Sequence, residues 1–253
     1  MRTENGKVVN IITKIANRLH LSPTKQKVIR NVVWAVTGKV VTLLGGLLVG
    51  IFVARYLGPD QYGLMSYVIS YVTLFQVFAS FGMDNIEIRE ESQHPDEKDK
   101  LIGTAFTLKV VFAALTMGLV IATAWLFEAD SFTRWMIALY SVSMLMNSFS
   151  VIRNYFTSIV WNEYIVKTEI SRTFIGAGIK IGLLFLHAPL VWFIAATLLD
   201  TILIAGGYVL SYRSKIDTFS KWRYDATTAK HLLVQSFPLL LSGAAVVIYT
   251  KID

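Results

Sequence analysis

Long apolar runs alternate with shorter polar stretches along most of this chain. A helix that crosses a bilayer needs about 20 mainly apolar residues, and the runs have roughly that length. The pattern therefore predicts an all-α, polytopic transmembrane helix bundle. Its predicted spans are Val32–Tyr56, Leu64–Phe81, Leu101–Phe127, Trp135–Ile152, Thr168–Ala188, Leu190–Tyr212 and Leu232–Thr250.

These spans divide the chain into four parts. Residues 1–31 form a basic cytoplasmic segment, for which an amphipathic helix on an anionic leaflet and a loosely ordered tail are both open. Residues 32–212 form a six-helix transmembrane lobe, and residues 213–230 form a basic cytoplasmic loop. Residues 231–253 form an incomplete seventh helix, which Pro238 is expected to break.

Gly58, Pro59 and Asp60 lie between the first two apolar runs. Proline fixes φ, glycine permits unusual backbone angles, and an aspartate side chain can bond the backbone of a turn. The three residues therefore predict a tight reverse turn between two helices.

Composition agrees with a membrane protein and disfavours several other classes. Hydrophobic residues make up 54% of the chain, charged residues make up 16%, and the mean hydropathy is +0.54. Because there is no cysteine and there are only four His, none in a metal-binding pair, no cofactor or metal is expected. The net charge of +7 lies beside apolar runs, so contact with membrane lipids is expected and nucleic-acid binding is not.

Basic residues are unevenly divided between the two predicted sides of the membrane. The inner segments hold most of the chain's 24 Lys and Arg residues, among them Arg153, Lys167 and Arg172. The outer side holds only Arg55 and Arg134. The positive-inside rule therefore predicts a cytoplasmic N-terminus.

A few ionisable residues fall at membrane depth, where a charge is costly and usually faces the interior of the bundle. They are Lys39, Lys109, Lys180 and Asp200 in the complete spans, and Lys251 and Asp253 in the unfinished one. The three lysines in complete spans predict a cationic cavity that binds an anionic substrate. Asp200, Lys251 and Asp253 are assigned to ion pairing or coupling.

Alternatives stay open for several of these residues. Helical spacing places Lys39, Gly46 and Gly50 on one face, but small residues four apart also allow helices to pack closely in lipid. Lys39 and Lys180 can also extend to the membrane interface. Asp200 either neutralises a lysine of a neighbouring helix or has a role with substrate or protons.

Short motifs flank the predicted spans. They are Asn31 before the first span, Ala54-Arg-Tyr-Leu-Gly-Pro-Asp-Gln-Tyr-Gly63 after it, Phe81-Gly-Met-Asp84 with Arg89 after the second, and Phe237-Pro-Leu-Leu-Leu-Ser-Gly243 with Tyr249-Thr-Lys-Ile-Asp253 in the seventh. Their order and spacing resemble polysaccharide biosynthesis proteins of the O-antigen flippase type, within the multidrug/oligosaccharidyl-lipid/polysaccharide exporter superfamily. The resemblance covers essentially the whole chain beyond residue 30.

The resemblance implies a transporter, not an enzyme, with two lobes around a central cavity in the bacterial cytoplasmic (inner) membrane. Such a protein moves an isoprenyl-pyrophosphate-linked oligosaccharide across that membrane by alternating access, for O-antigen or other surface polysaccharide biosynthesis. Its partners would include a polysaccharide polymerase and other biosynthesis proteins. Helix packing or gating is assigned to Gly46, Gly50, Arg55, Gly58, Pro59, Asp84 and Arg89.

Members of that family have about twice as many spans, so the sequence is expected to be a fragment that holds the N-terminal lobe and the start of the next. Three alternatives remain. They are a cation-coupled multidrug exporter of the same superfamily, a membrane-embedded glycosyltransferase or ligase, and a non-transporting truncated scaffold. An exporter of cationic drugs would need acids inside the spans, and few lie there. A membrane-embedded enzyme would need a sizeable loop for its catalytic residues, and the predicted outer loops are short.

Overall fold

The structure is a computed structural model that describes the backbone of residues 23–251 and the side chains of residues 32–33, 36–247 and 249. Within that range every regular element is a helix. The elements are α1 (Pro23–Ser80), α2 (Asp84–Gln93), α3 (Lys98–Phe127), α4 (Ser131–Ser141), α5 (Ser143–Asn147), α6 (Ser150–Ser158), α7 (Asn162–Phe185), α8 (Leu190–Lys215) and α9 (Ala226–Lys251), with 3-10 turns at Pro95–Glu97 and Phe219–Lys221. The predicted interfacial helix within residues 1–22, the side chains of Asn31 and Lys251, and Asp253 lie outside the described residues.

Helix α1 consists of two arms that meet at Gly58. Gly58 has φ 72° and ψ 174°, a conformation that glycine adopts without a Cβ clash, and Pro59 opens the second arm. Thr42 of the first arm and Met65 of the second line one small cavity. In a straight helix they would lie more than about 30 Å apart. The chain therefore reverses at Gly58, where the sequence predicts a turn.

In the part of the chain that the structure describes, five helical stretches are long and apolar enough to cross a membrane. They are Val36–Gln93, Pro95–Phe127, Ser131–Ser158, Leu190–Lys215 and Ala226–Val247, and the first of them contains two predicted spans. Helix α7, which contains most of the predicted fifth span, does not meet the same measure. It is more polar than the other long helices because it carries Glu163, Lys167, Glu169, Arg172 and Lys180.

The predicted fourth span is divided into α4, α5 and α6. Between these helices the backbone stays close to the right-handed helical range, with φ −57° at Val142 and −60° at Ser148. The amides of Leu145 and Ser148 donate to carbonyls only three residues earlier, at 3.1 and 3.2 Å. The span is therefore one helical rod with tightened turns at two points.

The polar segment between the second and third predicted spans, which hydropathy alone predicts to be a loop, contains helix α2. Its buried face holds Ile86 together with three acids, Glu87, Glu90 and Glu91. An acidic buried face produces no apolar stripe in the sequence, which is why hydropathy alone assigns this segment to a loop.

Two predictions near the end of the chain are also corrected. The basic loop is shorter than residues 213–230, because α9 begins at Ala226. Asp225 caps it by accepting a 2.8 Å hydrogen bond from the Thr228 amide, which also lowers the pKa of the Asp225 carboxyl. The predicted break at Pro238 is wrong, since α9 continues through that residue.

Two apolar clusters form the interior, and α3 passes through both. Ile102, Ala105 and Leu108 pack in one cluster with α6. Ala113, Val120 and Ala124 pack in the other with α1 and α4. Lys109 lies between them. Many large apolar side chains face outward, for example Leu47 of α1 and Phe127 of α3, which are 61% and 82% exposed. An apolar exterior of this kind suits lipid.

Replacing Gly103 by alanine is expected to destabilise the protein, by about 1–3 kcal/mol, because the new methyl group meets a backbone that has little freedom to move. A Cβ at Gly103 would lie 2.6 Å from the amide nitrogen and 2.7 Å from the carbonyl oxygen of Arg223. Gly118 of the same helix has open space around it and supplies the control. Thermal unfolding in detergent should separate G103A from G118A, and equal effects would contradict this packing.

Candidate functional site

A cavity of about 140 Å³ lies between α1, α7 and α8. We call it the Asp200 cavity. Its lining includes Thr42, Gly46 and Gly50 from α1, Arg172, Thr173, Gly176 and Lys180 from α7, and Asp200 from α8. Its charged residues are Arg172, Lys180 and Asp200, so the lining carries one net positive charge.

Lys180 and Asp200 form an ion pair across α7 and α8. The Lys180 ammonium nitrogen lies 2.6 Å from Asp200 Oδ2, and the two side chains are 17% and 12% exposed. The pair fits closely against α7, because a Cβ at Gly176 would overlap the Asp200 carboxylate. Neutralisation of a lysine on a neighbouring helix is one of the two roles that the sequence leaves open for Asp200.

Three polar atoms of residues that line the Asp200 cavity are buried without a hydrogen-bond partner among the described residues. They are Thr42 Oγ1, Arg172 Nε and Asp200 Oδ1. Buried polar groups are almost always paired, and an unpaired one costs on the order of 1–3 kcal/mol. The cavity therefore offers a hydroxyl, a guanidinium N–H and a carboxylate oxygen to a bound molecule or to water.

The glycines of α1 have two distinct surroundings. A Cβ at Gly38 would lie 2.5 Å from Val166, and one at Gly45 would lie 2.7 Å from Thr173, so these two glycines allow α7 to pack closely. Gly46 and Gly50 have open space around them and line the cavity. The packing role predicted for Gly46 and Gly50 therefore falls, within this chain, to Gly38 and Gly45.

Lys109 lies in a separate polar cluster, where it is buried and fully paired. Its ammonium group donates to Asp84 Oδ1 at 2.8 Å, Glu87 Oε2 at 2.8 Å and Ser150 Oγ at 3.1 Å. Asn154 adds bonds to the same two carboxylates, at 2.9 and 2.6 Å. Lys109 is therefore not a free cation, which corrects the count of three lysines against one acid.

A second cavity, of about 250 Å³, adjoins this cluster. We call it the Lys109 cavity. Its polar lining includes Gln76, Asp84, Asn147, Ser148 and Arg153. The Asp84 side chain is 39% exposed, whereas those of Lys109 and Glu87 are 2% and 1% exposed. Asp84 is thus the carboxylate of the cluster that is most open to its surroundings.

Arg89 and Glu90 connect α2 to α9. Arg89 donates to Glu90 at 2.7 Å and to the side-chain oxygen of Gln235 at 3.1 Å, and Glu90 also lies 3.4 Å from His231. The Phe81–Arg89 motif thus connects α2 to two other helices. Asp84 binds Lys109 of α3, and Arg89 binds Gln235 of α9.

The remaining predicted residues are scattered. Lys39 and Arg55 are exposed on α1, and neither lines the Asp200 cavity, so their assigned roles stay predictions. Arg172, which the charge count predicts on the cytoplasmic side, also lines that cavity. Sequence reasoning also missed Glu87 and Asn154. Arg172 lies eight residues before Lys180 on α7. Residues about two helical turns apart lie near one face, so this spacing could have predicted that Arg172 lines the same cavity as Lys180.

The backbone of this bundle is similar to a solved structure described as the outward-facing conformation of a multidrug resistance MATE family transporter of the MOP superfamily. The TM-score is 0.58 at 18% sequence identity, and the match covers 86% of this chain and 52% of that chain. The chain therefore spans about half the length of that transporter. The likeness shows the fold, a helical bundle whose backbone resembles about half of that transporter.

Residues 28–253 match the family described as polysaccharide biosynthesis protein. The chain belongs to this family, and the resemblance predicted from its motifs is confirmed. With its apolar helices and this fold, it is a multi-pass membrane protein. A search of curated proteins finds no match.

Alanine at Gly176 is expected to push Asp200 away from α7 and to weaken its bond to Lys180, because the new methyl group would occupy the place of the carboxylate. Lowered thermal stability is the expected result. Gly50, a cavity-lining glycine with open space, provides the matched control. Comparing the melting temperatures of G176A and G50A tests this, and a G176A protein as stable as G50A would show that the pair tolerates displacement.

Methionine at Lys109 is expected to cost about 3–5 kcal/mol of stability, because it leaves two carboxylates without their buried cation. The control is K167M, since Lys167 is 46% exposed in a pair with Glu163 and such pairs contribute less than about 1 kcal/mol. Adding Glu87→Gln to K109M should recover part of the loss. If thermal unfolding finds K109M no worse than K167M, the cluster does not hold the helices together.

Proposed function

We propose that this chain is part of a flippase that moves an isoprenyl-pyrophosphate-linked oligosaccharide across the bacterial inner membrane, for O-antigen or other surface polysaccharide biosynthesis. Membership of the polysaccharide biosynthesis family and the MOP fold favour transport over catalysis. The observation that carries the proposal is the buried Arg172 Nε, which has no hydrogen-bond partner among the described residues and belongs to a cavity with a net positive lining.

The chemistry of the Asp200 cavity suits a phosphate group. A guanidinium binds phosphate oxygens with planar, directed hydrogen bonds, and the Thr42 hydroxyl can add another. Pockets that hold drug-sized ligands are roughly 300–1,000 Å³, so a cavity of about 140 Å³ accepts a headgroup and not a sugar chain. In this proposal the pyrophosphate enters the cavity and the oligosaccharide extends beyond it.

A second function has one observation in its favour. The solved structure with a similar backbone is described as a multidrug resistance transporter, and Asp200 Oδ1 is a buried acceptor without a partner among the described residues. A cation-coupled exporter would use Asp200 to bind an organic cation. The net positive lining favours the anionic substrate instead.

Glutamine at Arg172 in the full-length protein is expected to slow translocation of a labelled isoprenyl-pyrophosphate oligosaccharide in proteoliposomes by about tenfold or more. A hydrogen bond to a charged group contributes about 1.5–3 kcal/mol, and 1.4 kcal/mol corresponds to a factor of ten. Arg172→Lys keeps the charge without the fork of donors and should show an intermediate rate.

Arg213 supplies the control, because it is an exposed arginine near the end of α8 and R213Q removes the same charge. Unchanged translocation by R172Q would overturn the phosphate site. Transport of an organic cation that is lost in Asp200→Asn but kept in R172Q would instead establish the exporter.

A further inference from the structure

Glu91 is a buried acid that the proposed transport site does not use. It lies in the last turn of α2 and is 2% exposed. Both of its carboxylate oxygens are buried without a hydrogen-bond partner among the described residues. The neighbouring Ser158 donates its own hydroxyl to the Tyr155 carbonyl at 2.8 Å.

The charged groups around Glu91 offer it little compensation for its burial. Glu87, one turn earlier on α2, is also 2% exposed and brings a like charge. Lys109 of α3 is the cation nearby, but it is already bound to Asp84 and Glu87. Tyr155 of α6 and Asp99 of α3 bring no positive charge to this region.

The two ends of helix α2 also provide different electrostatic environments for its first acid, Asp84, and for Glu91 near its end. Asp84 lies in the first turn, where the exposed amides of a helix stabilise a negative charge. Glu91 lies in the last turn, where the helix carbonyls disfavour one. The backbone therefore favours an ionised group at the Asp84 end and a neutral group at the Glu91 end.

An isolated carboxylate in an apolar interior costs so much free energy that the group takes up a proton instead. We infer that Glu91 is a proton-binding site, occupied at neutral pH, beside the Asp84–Lys109–Glu87 cluster. With the proton bound, the three groups of that cluster and Glu91 together carry one negative charge, and loss of the proton leaves two.

Release of this proton changes the balance of forces on Lys109. A charged Glu91 attracts the ammonium group away from Asp84, which lines the Lys109 cavity. The proton on Glu91 thus controls how firmly Asp84 is neutralised at the cavity surface. This site does not depend on which molecule is transported.

Infrared spectroscopy of the full-length protein in lipid tests the assignment without any substrate. Wild type at neutral pH should show the C=O stretch of a protonated carboxylic acid, and its intensity should fall by one carboxyl in Glu91→Gln. Glu90→Gln is the matched control, because Glu90 is 6% exposed and accepts a 2.7 Å bond from Arg89, which keeps it ionised. Equal band intensity in wild type and E91Q would overturn the site.

The pH dependence of stability gives a second measurement. The folded chain keeps a proton that the unfolded chain releases above about pH 4.3, so this group makes stability fall as pH rises through the neutral range. E91Q should lack that fall, whereas E90Q should keep it. A melting-temperature difference between wild type and E91Q that is constant with pH contradicts the proposal.

A methionine variant, Glu91→Met, provides a further test in case E91Q folds poorly. A buried neutral acid should be replaceable by methionine as well as by glutamine, since neither adds a charge. If only Glu91→Asp folds, while E91Q and E91M do not, the fold requires the negative charge and the proton site is wrong. Because no transport is measured, the flippase proposal stands or fails separately.

Discussion

The fold depends most on the ion cluster in which Lys109 binds Asp84 and Glu87. It joins three helices, α2, α3 and α6, at the level where α3 passes from one apolar cluster to the other. A buried cation without these acids, or these acids without the cation, would leave an uncompensated charge in the interior. The cluster therefore explains why a short, acidic α2 packs inside an otherwise apolar lobe.

The two polar regions of the lobe differ in how their buried cations are paired. Lys109 uses its donors on Asp84, Glu87 and Ser150, and Asn154 reinforces the same acids. The Asp200 cavity has an ion pair of its own but still leaves buried donor and acceptor atoms without partners among the described residues. The Lys109 ammonium is thus already held by the protein, whereas Arg172 Nε has no partner among the described residues and lies on a cavity lining where a ligand can bind.

Much of the helical pattern could be predicted from the sequence, because charge-free runs such as Leu64–Phe81 and Trp135–Ile152 have one physical explanation in a chain this apolar. The turn at Gly58 was equally accessible from its residue types. Helix α2 was not, because its buried face is acidic and its counterion, Lys109, is distant in sequence. Arg172 was missed for a related reason. A charge in the first half of a helix is counted with the basic flank, and only the packing of α1 against α7 shows that it lines the same cavity as Thr42.

The close contact between Gly103 and the Arg223 backbone has a consequence for how α9 can move. Arg223 also donates its amide to the Asp99 carbonyl at 3.1 Å, so the connection into α9 is anchored to α3 just before the helix begins. A hinge in that connection is therefore unfavourable. Bending is easier inside α9, where Pro238 has no amide proton to donate to the Val234 carbonyl. Any rocking of the C-terminal half of α9 would pivot at this proline, with the Asp225 end held in place.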